Sequence, residues 1–230
     1  IGATWVHWHQ PHVWSEITRY GQDIIASPVV DTAYWYAGGE LKSGTEAEMD
    51  AKLARPMEKI FENSREFFPE PHKPLLVLDE KFGASQELKD AFLAADEAGV
   101  LDALEDGDFT QEEKDLCNAY WSAGYIGYPE QGSSLMAKQW AALCDHRLSL
   151  VDEQTLRYKL VNGMRGIYGN IAKDLTGEIR LNTAVTAIEH GDDSATVTYA
   201  DGTSETADAV IVTVPVGALG NIKFTPGLPE

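Results

Sequence analysis

Three histidines stand near the start of the sequence at a spacing that could hold a metal, His7-x-His9-x-x-His12. Alternate residues of a strand face the same way, and an HxH pair near the start of a chain is how some zinc hydrolases begin their site. A metal-dependent hydrolase built on His7, His9 and His12 is therefore one reading. It needs further ligands on later elements, and only His72, His146 and His190 remain, scattered along the chain. Trp5, Trp8 and Trp14 are interleaved with the cluster, which suits packing or a flat ligand better, so no metal site is predicted. The 37 carboxylates are scattered, and no pair stands out as an acid/base couple. No GxGxxG, Walker loop or GxSxG occurs. Cys117 and Cys144 lie far apart without CxxC spacing; they read as buried thiols of a cytoplasmic protein rather than a disulfide. From these residue types alone no catalytic residue is assigned, and a binding module for a small ligand, without chemistry, stays open beside the hydrolase.

The elements that would position these residues can be read from periodicity. Residues 1–9 read as a strand, followed by a helix from Pro11 that Gly21 ends. Tyr34-Trp35-Tyr36, Gly38-Gly39 and Glu40-Leu41 read as a hairpin. Thr45-x-x-Glu48 and Thr110-x-x-Glu113 are capping boxes, and Ser85 and Ser133 or Ser134 can cap two further helices. The three prolines of FFPEPHKP make a loop. After about residue 150 the pattern changes to a short helix over 163–175 and then alternating strand-like runs, with Asp201-Gly202 as a hairpin turn. Ala209–Val214 is almost wholly apolar, as a strand buried on both faces would be. A helical block thus lies between two sheet-forming blocks.

The formal charge of -19 repels nucleic acid and anionic membrane surfaces and favours a cationic small molecule such as a protonated amine. No apolar run approaches the ~20 residues that cross a bilayer. Ile1 opens directly into a strand-like run and FTPGLPE stops in mid-phrase, so both termini are expected to be cuts in a longer protein.

Two segments carry a resemblance. GATWVHWHQPHVWSEITRYG resembles the "GG-x-aromatic-V" strand and following helix of flavin-containing monoamine oxidases, especially bacterial and fungal ones. The stretch YKLVNGMRGIYGNIAKDLTGEIRLNTAVTAIEHGDDSATVTYADGTSETADAVIVTVPVGALGNIKFTPGLP resembles that family's second flavin-domain segment, in the same order. YPEQGSSLMAKQW is the most suggestive stretch of the helical block between them.

The resemblance implies an α+β (mixed α/β) fold, with a helical substrate-domain lobe inserted between β-rich segments of an FAD-binding, Rossmann-like amine oxidase fold. The implied domains are 1–22 in the FAD-binding domain, 23–154 in the substrate domain, 155–216 in the FAD-binding domain with a β-meander, and 217–230 back in the substrate domain. It implies an FAD-dependent enzyme that oxidises a primary or secondary amine to an imine, with hydride passing to the flavin and O₂ reoxidising it. Gly2, Ala3, Thr4 and Trp5 match the flavin-side strand, Val185 the residue whose backbone meets adenine, and Thr213 and Pro215 a strand end near the dinucleotide. Gly2-Ala3 departs mildly from the family's Gly-Gly. Trp5, Tyr125 and Trp140 are candidate walls of the substrate cavity. The implied partner is a small-molecule amine, with no nucleic acid and no membrane, and the resemblance leaves room for a homodimer. The dinucleotide fingerprint and the C-terminal flavin segment of the family are not in these residues. The chain alone is therefore expected to wall the cavity without holding FAD tightly or turning over.

Overall fold

A computed structural model describes residues 4–228, and the chain divides into two units, Ile1–Ala172 and Lys173–Glu230. The first unit is mainly helical. Helix α1 (Pro11–Arg19) begins where Pro11 presets a helical φ and its missing N–H costs no bond, and Gly21 at φ +56° ends it. Strand β1 (Ile24–Ala26) precedes the hairpin of β2 (Ala33–Ala37) and β3 (Glu40–Gly44), whose turn residues Gly38 and Gly39 take φ +62° and +80°. Such angles belong to a glycine pair.

Helix α2 (Glu46–Ile60) follows a complete capping box: Thr45 Oγ1 accepts from the Glu48 N–H, and Glu48 Oε2 accepts from the Thr45 N–H. It buries Leu53, Met57 and Ile60, one face at helical spacing. After α3 (Ser64–Phe67) and the proline loop come α4 (Gln86–Glu97), capped by Ser85, and α5 (Gln111–Tyr125), started by the Thr110–Glu113 box. Then follow α6 (Ser134–Leu143), capped by Ser133, α7 (Leu148–Leu156), β4 (Tyr158–Leu160) and α8 (Arg165–Asp174). Strand β4 pairs antiparallel with β1, Ile24 opposite Leu160.

Fully buried Trp121 is central to the main core, which it shares with Met57, Ile60, Cys117, Ala137, Ala141 and Val151. A second cluster gathers Phe67, Phe68, Val77 and Phe92, and a third Val6, Ile17, Leu160 and Ile167. The third joins the start of the chain to β4 and α8 across a long sequence separation. Both cysteines are free and buried.

The second unit is a four-stranded sheet in the order β7-β6-β5-β8. Strands β5 (Val185–His190), β6 (Ala195–Tyr199) and β7 (Ser204–Ala207) form an antiparallel meander, and β8 (Lys223–Thr225) pairs parallel with β5. The Asp201-Gly202 turn joins β6 to β7 as expected, with Gly202 at φ +86° and Asp201 Oδ1 accepting from the Thr203 N–H at 2.9 Å.

Two strand expectations fail. Among the described residues of 1–9, only Trp5 makes a β contact, a single bridge to Lys159, and the chain turns at Trp8. Ala209–Val214 forms no strand: Ile211 is 88% and Val214 40% exposed. An apolar run becomes a buried strand only where neighbouring strands complete its ladder and layers cover its faces. Among the described residues nothing does so. Nor, among them, is any helix long and apolar enough to cross a membrane.

Candidate functional site

The first unit holds a cavity of about 570 Å³ lined by His9 and Gln10 before α1, His72 from the proline loop, Trp140, Leu143 and Cys144 at the end of α6, and Val151, Gln154 and Thr155 on α7. The turn between α6 and α7 shapes it. Asp145 and His146 both adopt left-handed backbone, at φ +52° and +60°, an arrangement non-glycine residues hold only when their surroundings fix it. Here the His146 N–H donates to the Ala141 carbonyl, and the His146 ring Nδ1 lies 2.7 Å from the hydroxyl of buried Ser64. The reversal brings Gln154 alongside the end of α6.

Buried Gln154 then ties the cavity wall together. Its side-chain amide nitrogen lies 2.8 Å from His9 Nδ1 and 3.3 Å from the Leu143 carbonyl. His7 Nδ1 accepts from the His9 N–H at 3.1 Å, and His7 Nε2 faces Glu153 Oε1 at 3.5 Å. Gln10 Oε1 accepts from the His7 N–H. Burial lowers the pKa of the His7 imidazole, which favours its neutral form. The segment weighed as a possible metal cluster is a strap laced onto α7. His7 and His9 turn to different protein groups, and among the described residues no three His, Cys, Asp or Glu side chains converge as a metal would require.

The cavity lining mixes apolar Trp140, Leu143 and Val151 with polar His9, Gln10, His72, Gln154 and Thr155, and its described lining residues include no carboxylate, Lys or Arg. Trp140 is on the wall. Tyr125 is behind it, its ring 6.3 Å from that of Trp140 and stacked 5.3 Å from Trp121, with its hydroxyl donating to the Ser133 carbonyl. Trp5 is elsewhere in the unit, its ring 4.1 Å from Lys159 Nζ. Sequence reasoning did not single out Gln154 or His72, and weighed His9 only as a metal ligand. Gln154 had no signal to give, since α7 starts at Leu148 and Arg147 before it offers no side-chain cap.

A second depression, of about 720 Å³, is lined by Trp35, Lys42, Ser43, Glu48, Ala51, Lys52 and Glu112. Its chemistry is spent internally. Glu112 accepts from Trp35 Nε1 at 2.9 Å and pairs with Lys42 and Lys52 at 3.0 and 3.2 Å. The Trp35 hydrogen bond first, and then the lysines, hold its carboxyl down to about 2. This knot fastens the β2–β3 hairpin to α5.

In the second unit Val185 opens β5 opposite Tyr199, at an irregularity between Val185 and Ala187. The Ala184 carbonyl accepts from the Ala200 N–H on the β6 side. A trans peptide therefore sends the Val185 N–H away from β6, and its C=O leaves on the same edge. Strand β8 begins pairing with β5 only at Ala187. Thr213 lies in the exposed irregular run, and Pro215 precedes a 3₁₀ turn over Val216–Asn221. Thr4 is exposed and outside any element, and Gly2 and Ala3 lie outside the described residues.

Comparison with known proteins agrees with this architecture. The chain is 25% identical over 235 residues to pseudooxynicotine dehydrogenase of a Pseudomonas species, covering 100% of this chain and 44% of that protein. It is 28% identical to nicotine dehydrogenase of Pseudomonas putida, covering 100% of this chain and 46% of the relative. The structure of putrescine oxidase bound to putrescine superposes with a TM-score of 0.73 at 19% identity, over all of this chain and 50% of that one. The chain thus spans about half the length of the relatives it matches. The profile of flavin containing amine oxidoreductases matches residues 1–230, and the chain belongs to that family.

Proposed function

We propose that this chain forms part of an FAD-dependent oxidase of a primary or secondary amine, and that its α6–α7 cavity is the part of the substrate site these residues supply. The observation that carries the reading is the cavity itself: a volume suited to a small molecule, an aromatic wall at Trp140, and polar groups that hydrogen-bond without charge. When bound, FAD supplies the hydride acceptor for amine oxidation to the imine, and O₂ is the expected oxidant of the reduced cofactor. The chain's own residues orient the amine and exclude water. Trp140 packs against the substrate, with Tyr125 holding it from behind. Val185 offers its backbone edge to adenine, and Gly2, Ala3, Thr4, Trp5, Thr213 and Pro215 are the proposed flavin-side contacts. Residues 1–22 and 155–216 are proposed for the FAD-binding domain, with 23–154 and 217–230 in the substrate domain.

Because the chain spans about half of each relative, turnover is a property proposed for the whole protein. These residues alone contain no Gly-rich turn to grip a pyrophosphate, so tight FAD binding is not expected of them. A cytoplasmic location and a homodimer belong to the same proposal, the former resting on two unpaired buried thiols. The test is anaerobic flavin bleaching by amines in the full-length protein. Trp140→Ala there is expected to raise KM about tenfold or more through lost packing. Full-length flavoprotein that no amine bleaches would sink the reading. The 230-residue chain, titrated with FAD, is expected to show no tight saturable quenching.

A further inference from the structure

Gln154 fixes more than the position of His9; it fixes which ring nitrogen carries the proton. The Leu143 carbonyl can only accept, so the group of Gln154 that faces it is the NH₂. The same nitrogen lies 2.8 Å from His9 Nδ1. An amide NH₂ only donates, so His9 Nδ1 must accept, and the imidazole proton sits on Nε2. The backbone side is fixed too, because the His9 N–H is committed to His7 Nδ1. Among the described residues His9 Nε2–H has no hydrogen-bond partner, and His9 lines the cavity. Exposed His9 shares the lining with apolar Trp140, Leu143 and Val151.

We propose that His9 is a specificity-determining residue, whose Nε2–H donates to a hydrogen-bond acceptor on the substrate, a ring nitrogen or carbonyl oxygen carried on a flat, uncharged group that packs on Trp140. The inference rests on the amine-oxidase reading of the cavity and narrows its substrate class. A donor N–H in a lining without carboxylates accepts such a group and repels a second ammonium, so diamines are disfavoured. Gln154 acts through His9 and is a positioning residue.

Matched amines test this in the full-length flavoprotein. 3-(Aminomethyl)pyridine and benzylamine differ only by the ring nitrogen, and 1,4-diaminobutane carries a second cation. The pyridyl amine is expected to exceed benzylamine in kcat/KM by on the order of tenfold, the worth of one good hydrogen bond, and to exceed the diamine by more. His9→Leu should erase the pyridyl preference, mainly through the KM of the pyridyl amine. His9→Gln, which keeps a donor, should restore part of it. Independently of turnover, ¹⁵N spectra of the full-length protein should show His9 protonated at Nε2 and bare at Nδ1, with Gln154→Leu loosening that preference. Flavin bleaching with a pyridyl preference that survives His9→Leu, a diamine as the best substrate, or His9 protonated at Nδ1 would each overturn the assignment and leave the amine-oxidase reading standing. No bleaching by any amine would overturn both.

Discussion

Asp152 and Lys138 show at the scale of single residues how burial sets charge. Asp152 accepts from the Tyr120 hydroxyl at 2.7 Å, yet burial, the largest influence, raises its carboxyl to about 6, and Asp50 and Glu46 push the same way against the hydrogen bond. A folded-state pKa above the unfolded 3.8 favours folding while the group is protonated. That advantage is complete below pH 3.8 and is lost as pH rises through 6. At neutral pH the ionised form therefore costs stability. Asp152→Asn, which keeps an acceptor for Tyr120, is expected to stabilise the chain by on the order of 1–3 kcal/mol at pH 8, the gain vanishing below about pH 4 in urea titrations. A gain of equal size at both pH values would refute the burial argument. Lys138 is buried, and its Nζ donates to the Ile60 and Glu62 carbonyls at 2.6 and 2.9 Å, closing the end of α2. Burial pushes its ammonium down to about 8. Lys138→Met would relieve the buried charge but orphan two carbonyls. The orphaned acceptors should win, for a net loss of about 1–3 kcal/mol by thermal unfolding. Such a cap at long sequence separation leaves no local trace, whereas the thiols of Cys117 and Cys144, pushed up to about 12 and about 11 by burial, could be read as buried from the sequence.

Elements divide according to whether their signals are local. Both capping boxes form with the residues the sequence names, because the partners sit three residues apart and need nothing else. Thr110→Ala should cost about 1 kcal/mol and Thr45→Ala a similar amount, measured as a shift in urea midpoint with unchanged slope. A change below ~0.3 kcal/mol at both sites would mean that tertiary packing alone holds these helix starts. Helix α7 lacks a side-chain cap, and the two left-handed residues before it are an aspartate and a histidine rather than glycines. Its position comes from the Ser64–His146 contact and from Gln154, both long-range. The failed strand at Ala209–Val214 shows the converse. Composition records that a segment suits a buried sheet, but the ladder partners and covering layers come from elsewhere.

On the scale of the whole molecule, the two units meet in sequence at a stretch that carries little structure of its own. Residues 175–182 are exposed and outside any helix or strand. Backbone of this kind is where proteases cut first, so brief trypsin treatment is expected to cleave at Arg180 before any site within α2 to α6. Mass spectrometry of the early fragments checks it, and first cleavage at Lys89 or Lys114 would contradict the assignment. The charge of -19 acts at this scale as well, favouring cations in general without marking where one binds. What the sequence determined by itself was whatever a few neighbouring residues decide: caps, the Gly38-Gly39 and Asp201-Gly202 turns, the helical middle, the meander, and the family resemblance those segments carry in order. Only the tertiary structure decided the candidate site. His9, His72, Trp140 and Gln154 come together because α6 reverses into α7 and the strap at His7–Gln10 is laced across the reversal, contacts of high sequence separation for which no spacing rule exists. The same packing turned a metal-like histidine pattern into hydrogen-bonding groups, since a ring nitrogen's role is set by the partner the fold places against it.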